Sequence, residues 1–166
     1  MLQLNEHFPT TVEFDPYIPI KITFGSWDVS LEGTGYWITG DSEQQYIEIG
    51  AAEERGVIRS ITLVLIKEIN LEIKTFPDVR LVPGIPIFKA LKYDKNFLVK
   101  EDGPIEMFVG KDKLQIFFSR NTVFLGLISD RAVCFFDEDH LFCGFEVSDI
   151  THHERQILEE NFINRK

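Results

Sequence analysis

The chain reads as an α+β protein that is mainly β: antiparallel meander sheets of hairpins, with one C-terminal amphipathic helix packed on the sheet. Three observations carry that expectation. Short runs in which apolar and polar residues alternate recur along the sequence, and a period of two is the pattern of half-buried strands. Clusters of Gly, Asp and Ser separate these runs at hairpin spacing. Only residues 151–164 combine helical periodicity with an N-cap signature.

Residues 18–24 alternate cleanly, and Pro19 suits a strand start or an edge. Gly25 and Ser26 turn the chain into residues 27–31, where Trp27, Val29 and Leu31 share a face. Gly33 and Gly35 form a second turn, leading to Tyr36, Trp37 and Ile38, and Gly40, Asp41, Ser42 and Glu43 form a third. Residues 46–49 and 57–66 are expected to pair across Glu53, Glu54, Arg55 and Gly56, with Gly56 taking a positive φ. Residues 69–73 alternate again.

Residues 76–104 hold Pro77, Pro83, Pro86 and Pro104, which break any regular ladder, so loops are expected, with at most one short element near 87–93. Strands follow at 105–109, 114–118, 123–128, 132–136 and 141–147, joined by connectors short enough for consecutive antiparallel neighbours. Several are apolar on both faces, so something must cover both. The C-terminal helix is the expected cover: Thr151 and Glu154 match the capping box, and Ile157, Leu158 and Phe162 share one face. A faint echo links residues 46–65 with 104–118, as an ancient duplication or two independent hairpins would.

At 166 residues the chain fits one domain, 1–166, with the Pro-rich connector 76–103 dividing it into candidate halves 1–75 and 104–166. Fifteen Phe imply an aromatic-rich core. The start lacks the basic and apolar regions of a signal peptide, and no apolar run approaches a membrane span. Cys134 and Cys143 lie in apolar runs and read as two buried thiols. A cytoplasmic protein is expected, with no membrane partner.

The net charge of −10 is uneven. Residues 1–50 hold eight carboxylates and only Lys21, residues 51–100 carry more bases than acids, and residues 101–166 are acidic again. Such a distribution repels nucleic acid and attracts a basic protein. The basic residues of the middle are interleaved with acids and make a weak nucleic-acid footprint.

Gly40, Asp41 and Ser42, with Asp149 and His152, resemble the G-D-S and D-x-x-H blocks of SGNH hydrolases, which would make Ser42 a nucleophile and His152 its base. The parallel α/β pattern and the remaining blocks of that family are missing, and Gly-Asp-Ser is a common turn sequence. Asp137, Glu138, Asp139 and His140 could bind a metal, but a four-residue turn sends successive side chains apart and reads as a solvated hairpin tip. His152 and His153 fall in the first helical turn, where surface positions are the simpler reading. No catalytic residue, metal site or cofactor is therefore assigned. Trp27, Tyr36 and Trp37 suit either sheet core or a protein-binding surface, with Tyr36 and Trp37 on opposite faces.

Tyr46, Ile47, Glu48, Ile49 and Gly50, with Arg59, Ser60, Ile61, Thr62, Leu63 and Val64, resemble segments of bacterial toxin-immunity proteins. The resemblance implies a small acidic protein that neutralises a basic, nuclease-type toxin. The expected partner-binding residues are Asp28, Glu32, Tyr36, Trp37, Asp41, Glu43, Asp137, Glu138 and Asp139. That reading requires the two acidic regions to converge in space. The alternatives are a self-assembling structural module, in which acidic and basic regions pair between copies, and a carboxylate- or His-based hydrolase.

Overall fold

A computed structural model describes residues 9–25, 32–41, 44–89 and 92–163. Among them β1 (Thr10–Glu13), β2 (Ile20–Phe24), β3 (Thr34–Gly40), β4 (Tyr46–Ala52) and β5 (Ile58–Leu65) form a first group of strands. Three short strands follow: β6 (Ile69–Asn70), β7 (Arg80–Pro83) and β8 (Leu98–Asp102). The second group is β9 (Glu106–Val109), β10 (Leu114–Phe117), β11 (Leu125–Ser129), β12 (Ala132–Phe136) and β13 (Phe142–Val147). Helix α1 (His152–Leu158) continues into a π-helical turn, Glu159–Ile163. The protein is α+β, mainly β. No helix among the described residues is long and apolar enough to cross a membrane.

The two groups build two sheets that share a six-strand order, sheet 2 adding β6 at one edge. Sheet 1 runs β1-β2-β5-β4-β3-β8, and sheet 2 runs β6-β9-β10-β13-β12-β11-β7. In each, three hairpin-connected strands (β3, β4, β5; β11, β12, β13) are preceded by a strand that lies beside the last of them. This is a Greek-key arrangement. One antiparallel strand extends each sheet beyond that strand (β1 on β2, β9 on β10). One parallel strand closes the other side (β8 on β3, β7 on β11). The structural repeat thus matches β4–β5 to β12–β13. The sequence echo had set residues 46–65 against 104–118, which lie at non-equivalent places in the two sheets.

Three expectations are corrected here. The sheets are mixed, not purely antiparallel, because β6, β7 and β8 pair in parallel. All three come from residues 69–102. The prolines did not prevent pairing because β7 and β8 are edge strands, where a missing N–H on the free side costs no ladder bond. Near residue 87 the described residues form only an isolated bridge, from Ile87 to Val57. Finally, β10 and β11 are not neighbours, since residues 118–124 cross over the end of the sheet. Of the strand expected at 69–73, only Ile69–Asn70 pairs. The strand expected at 27–31 lies outside the described residues.

The inner faces share one apolar cluster. Ile20, Ile22, Ile47, Ile49, Ile61 and Leu63 from sheet 1 meet Met107, Leu114, Ile116, Leu127, Phe145 and Val147 from sheet 2. Each side chain of this size taken fully out of water stabilises the fold by roughly 1.5–3 kcal/mol.

The outer faces differ. Sheet 2 carries a second cluster of Phe117, Val123, Val133, Phe135 and Cys143, with Phe76 and Val79 packed on it. The expectation of two covered faces is met, but by a different element. The cover is the strap of residues 71–79. Helix α1 instead places Leu158 in the inner cluster, with Phe162 and Ile163 against it. Gln115, buried in the outer face, holds the strap in place. Its amide donates to the Lys74 carbonyl at 2.8 Å and accepts from the Lys74 N–H at 2.9 Å, satisfying the backbone as a neighbouring strand would. The capping box at Thr151 and Glu154 forms as the sequence predicts.

Candidate functional site

Both repeats solve the same local problem. In each repeat the residues that lead into β3 or β11 are tied to the tight turn of the following hairpin. In sheet 1, Glu32 accepts from the N–H groups of Glu54 and Arg55, at 2.5 and 2.8 Å, and from Arg55 Nε at 2.7 Å. Buried Arg59 donates to the carbonyls of Glu32 and Gly33 and to Thr34 Oγ1. In sheet 2 the carboxylate comes from the turn: Asp137 accepts from the N–H groups of Asp139 and Leu141 and from Asn121 Nδ2 at 2.7 Å.

These bonds leave their mark on acidity. Burial pushes the Glu32 carboxyl up, but the Arg55 guanidinium and the backbone N–H groups outweigh it and hold the group at about 2. Asp137 is lowered in the same way: burial opposes, while the Leu141 N–H, Asn121 and the Asp139 N–H prevail. Asp41 likewise accepts from the N–H groups of Gln44 and Gln45. Three of the expected partner-binding carboxylates therefore shape turns. Glu138 and Asp139 are exposed, while Asp28 and Glu43 lie outside the described residues. So does Ser42. His152 and His153 are exposed at the start of α1.

The ends of the two turns differ in their surroundings. The sheet 1 turn is closed by the connector: Phe88 N–H donates to Gly56 O and Ile58 N–H to Pro86 O. Gly56 has φ +72, and a Cβ there would lie 1.9 Å from the Phe88 carbonyl oxygen, so only glycine fits. The sheet 2 turn opens onto a groove of about 860 Å³ instead. That is within the range of ligand and peptide-anchor sites.

The groove has an aromatic floor. Trp37 meets Phe118 edge to face at 5.4 Å between centroids, and Phe142 lies 4.9, 5.2 and 5.5 Å from Phe118, Phe136 and Phe88. Pairs of this geometry add about 0.5–1.5 kcal/mol each beyond their buried area, which makes the floor stiff. Its rim is charged and exposed: Glu101 and Asp102 at the end of β8, Lys89 from the connector, Arg120 from the crossover loop, and Asp139 and His140 from the turn. Lys89 and Arg120 form no ion pair among the described residues. Leu141, 59% exposed, stands at the mouth. His140, exposed, sits at φ 61, in the left-handed region.

Trp37 and Tyr36 point opposite ways, as period-two alternation requires. Trp37 packs on the inner cluster and lines the groove. Tyr36 lies on the outer face of sheet 1, its ring over Gly50. The Trp37 indole N–H is buried with no hydrogen-bond partner among the described residues. A buried donor left unpaired costs about 1–3 kcal/mol, and such orphans mark places where a fold gives up stability for another purpose.

Of the expected partner-binding set, the groove brings together Trp37 and Asp139. Thr39 also lines it, but of the first acidic region's carboxylates neither Glu32 nor Asp41 does, and Asp28 and Glu43 lie outside the described residues. Sequence reasoning missed Glu101, Asp102, Lys89 and Arg120, which converge only through the parallel pairing of β8 with β3 and the crossover of residues 118–124. No family model matches the chain, and no curated protein matches it. Among the described residues, no cluster of His, Cys, Asp and Glu could hold a metal ion.

The two cysteines lie on opposite faces of sheet 2, Cys134 in the inner cluster and Cys143 in the outer. Burial raises both thiols, Cys143 to about 11 with help from the Asp137 charge. They are packing groups, held far from the thiolate form that reacts.

Proposed function

We propose that the protein is a non-catalytic, acidic binding module for a basic protein, acting in the cytoplasm as the immunity protein of a nuclease-type toxin. The observation that carries this reading is the groove: a stiff aromatic floor beside exposed Glu101, Asp102 and Asp139, with Glu138 adjoining, on a chain of net charge −10. Aromatic anchors within a polar rim are the usual make-up of protein-recognition sites. An acidic surface speeds encounter with a cationic partner and can stand where nucleic acid would bind.

The test is growth and binding with a basic toxin encoded beside this gene. Co-expression restores growth, and the purified pair associates with an affinity that falls as salt rises. Charge reversal of exposed residues, Glu138→Lys with Asp139→Lys, weakens association at least tenfold without altering the melting temperature. Binding indifferent to both salt and charge reversal, or no rescue by the intact chain, rejects the reading.

A further inference from the structure

We propose that the groove is an anchor pocket that takes one bulky apolar side chain, aromatic or branched aliphatic, from an extended segment of the partner whose flanking residues are predominantly basic. This rests on the binding role proposed above and names how that binding is anchored.

Four features of the groove point to such an occupant. The floor of Trp37, Phe118 and Phe142 presents ring faces and edges, surfaces that an apolar group fills and water solvates poorly. The exposed carboxylates of Glu101, Asp102 and Asp139 outnumber the exposed bases, so the rim favours cationic flanks. Arg120 and Lys89, without ion pairs among the described residues, are available to a main-chain carbonyl or an acidic residue of the segment. Leu141 completes the grip: exposed at the mouth in the free protein, it becomes buried when the pocket is filled.

The experiment uses the full chain, isotope-labelled, and three blocked tripeptides: Lys-Trp-Lys, Lys-Ala-Lys and Glu-Trp-Glu. The indole resonance of Trp37 is the readout, assigned by its loss in Trp37→Phe. Lys-Trp-Lys shifts that resonance saturably, the other two bind at least fivefold more weakly, and Leu141→Asp, at a surface position, abolishes the shift while leaving the spectrum folded. Equal binding of Lys-Ala-Lys overturns the apolar anchor. Equal or tighter binding of Glu-Trp-Glu overturns the basic flanks and makes the groove an anion site. If a basic toxin binds but Leu141→Asp leaves its affinity unchanged, the anchor fails and the broader reading stands. If Lys-Trp-Lys fills the groove but no basic protein binds, the anchor stands and the immunity reading fails.

Discussion

Sheet 1 and sheet 2 share the order of six strands, with sheet 2 adding β6 at one edge, yet they treat their outer faces in opposite ways. On sheet 1 the outward positions of the central strands include Lys21, Thr23, Tyr36, Glu48 and Thr62, none of them buried, and the buried ones among them, Gly50 and Ser60, are small. On sheet 2 the corresponding face carries Phe117, Val133 and Phe135, and the 71–79 strap seals it. Phe117 and Phe135 stack at 5.8 Å across the position of Gly144, where a Cβ would lie 2.7 Å from the Phe117 ring. One topology therefore serves as a two-layer edge of the molecule in one repeat and as its middle layer in the other. The turn ends diverge as well: the connector closes one, and the other is left open as a groove. A repeated scaffold leaves its local chemistry free to differ, and the groove forms where the open turn of sheet 2 faces β3, β8 and the connector.

The comparison can be broken most sharply at the outer faces. Phe135→Ala, on the covered face of sheet 2, should lower the unfolding free energy by about 3–5 kcal/mol, the usual cost of emptying a buried Phe site. Thr62→Ala, outward on sheet 1, should change it by less than about 0.5 kcal/mol. Urea denaturation with unchanged m-values measures both. Similar losses at the two sites would show that the outer faces are energetically alike.

A smaller effect separates the two turn-pinning carboxylates from exposed ones. The Glu32 carboxyl is held at about 2 in the folded chain against an ordinary 4.5. A depressed folded value means that its stabilisation is fully present above 4.5 and is lost as pH falls toward 2. Glu32→Gln should therefore melt below the wild type at neutral pH and converge with it near pH 2. Melting curves across that range check this, and a difference that does not vary with pH would contradict it.

The smallest effect on stability, and the clearest on chemistry, concerns the thiols. Cys134 and Cys143 should resist alkylation at neutral pH in the folded protein and form no disulfide on oxidation, since the sheet itself separates them. Both should react once denaturant unfolds the chain, as timed alkylation with mass spectrometry would record.

Much of this was legible in local pattern. Alternation located most of the strands of both repeats, because a half-buried strand must write its two faces into adjacent residues. The capping box at Thr151 and the need for Gly56 are equally local. Tyr36 and Trp37 were expected on opposite faces, and they are. Other features had no local signature. Residues 80–83 and 98–102 carry weak strand propensity, and they pair only because sheet edges are present to receive them. Glu32 and Asp137 read as display residues from composition alone, but each accepts hydrogen bonds from a turn whose placement composition cannot reveal.

The sequence by itself established a mainly β chain with a capped C-terminal helix, a core rich in aromatics and an uneven acidic charge, since each of these is set by residues within a few positions of one another. The tertiary structure decided which repeat pairs with which element, which outer face is covered, and that Trp37, Glu101, Arg120 and Asp139 border one groove. Those four residues lie on β3, β8, the 118–124 crossover and the β12–β13 turn. Such convergence follows from long-range pairing and loop crossing, in which chain segments far apart in sequence are neighbours only after the sheets have formed.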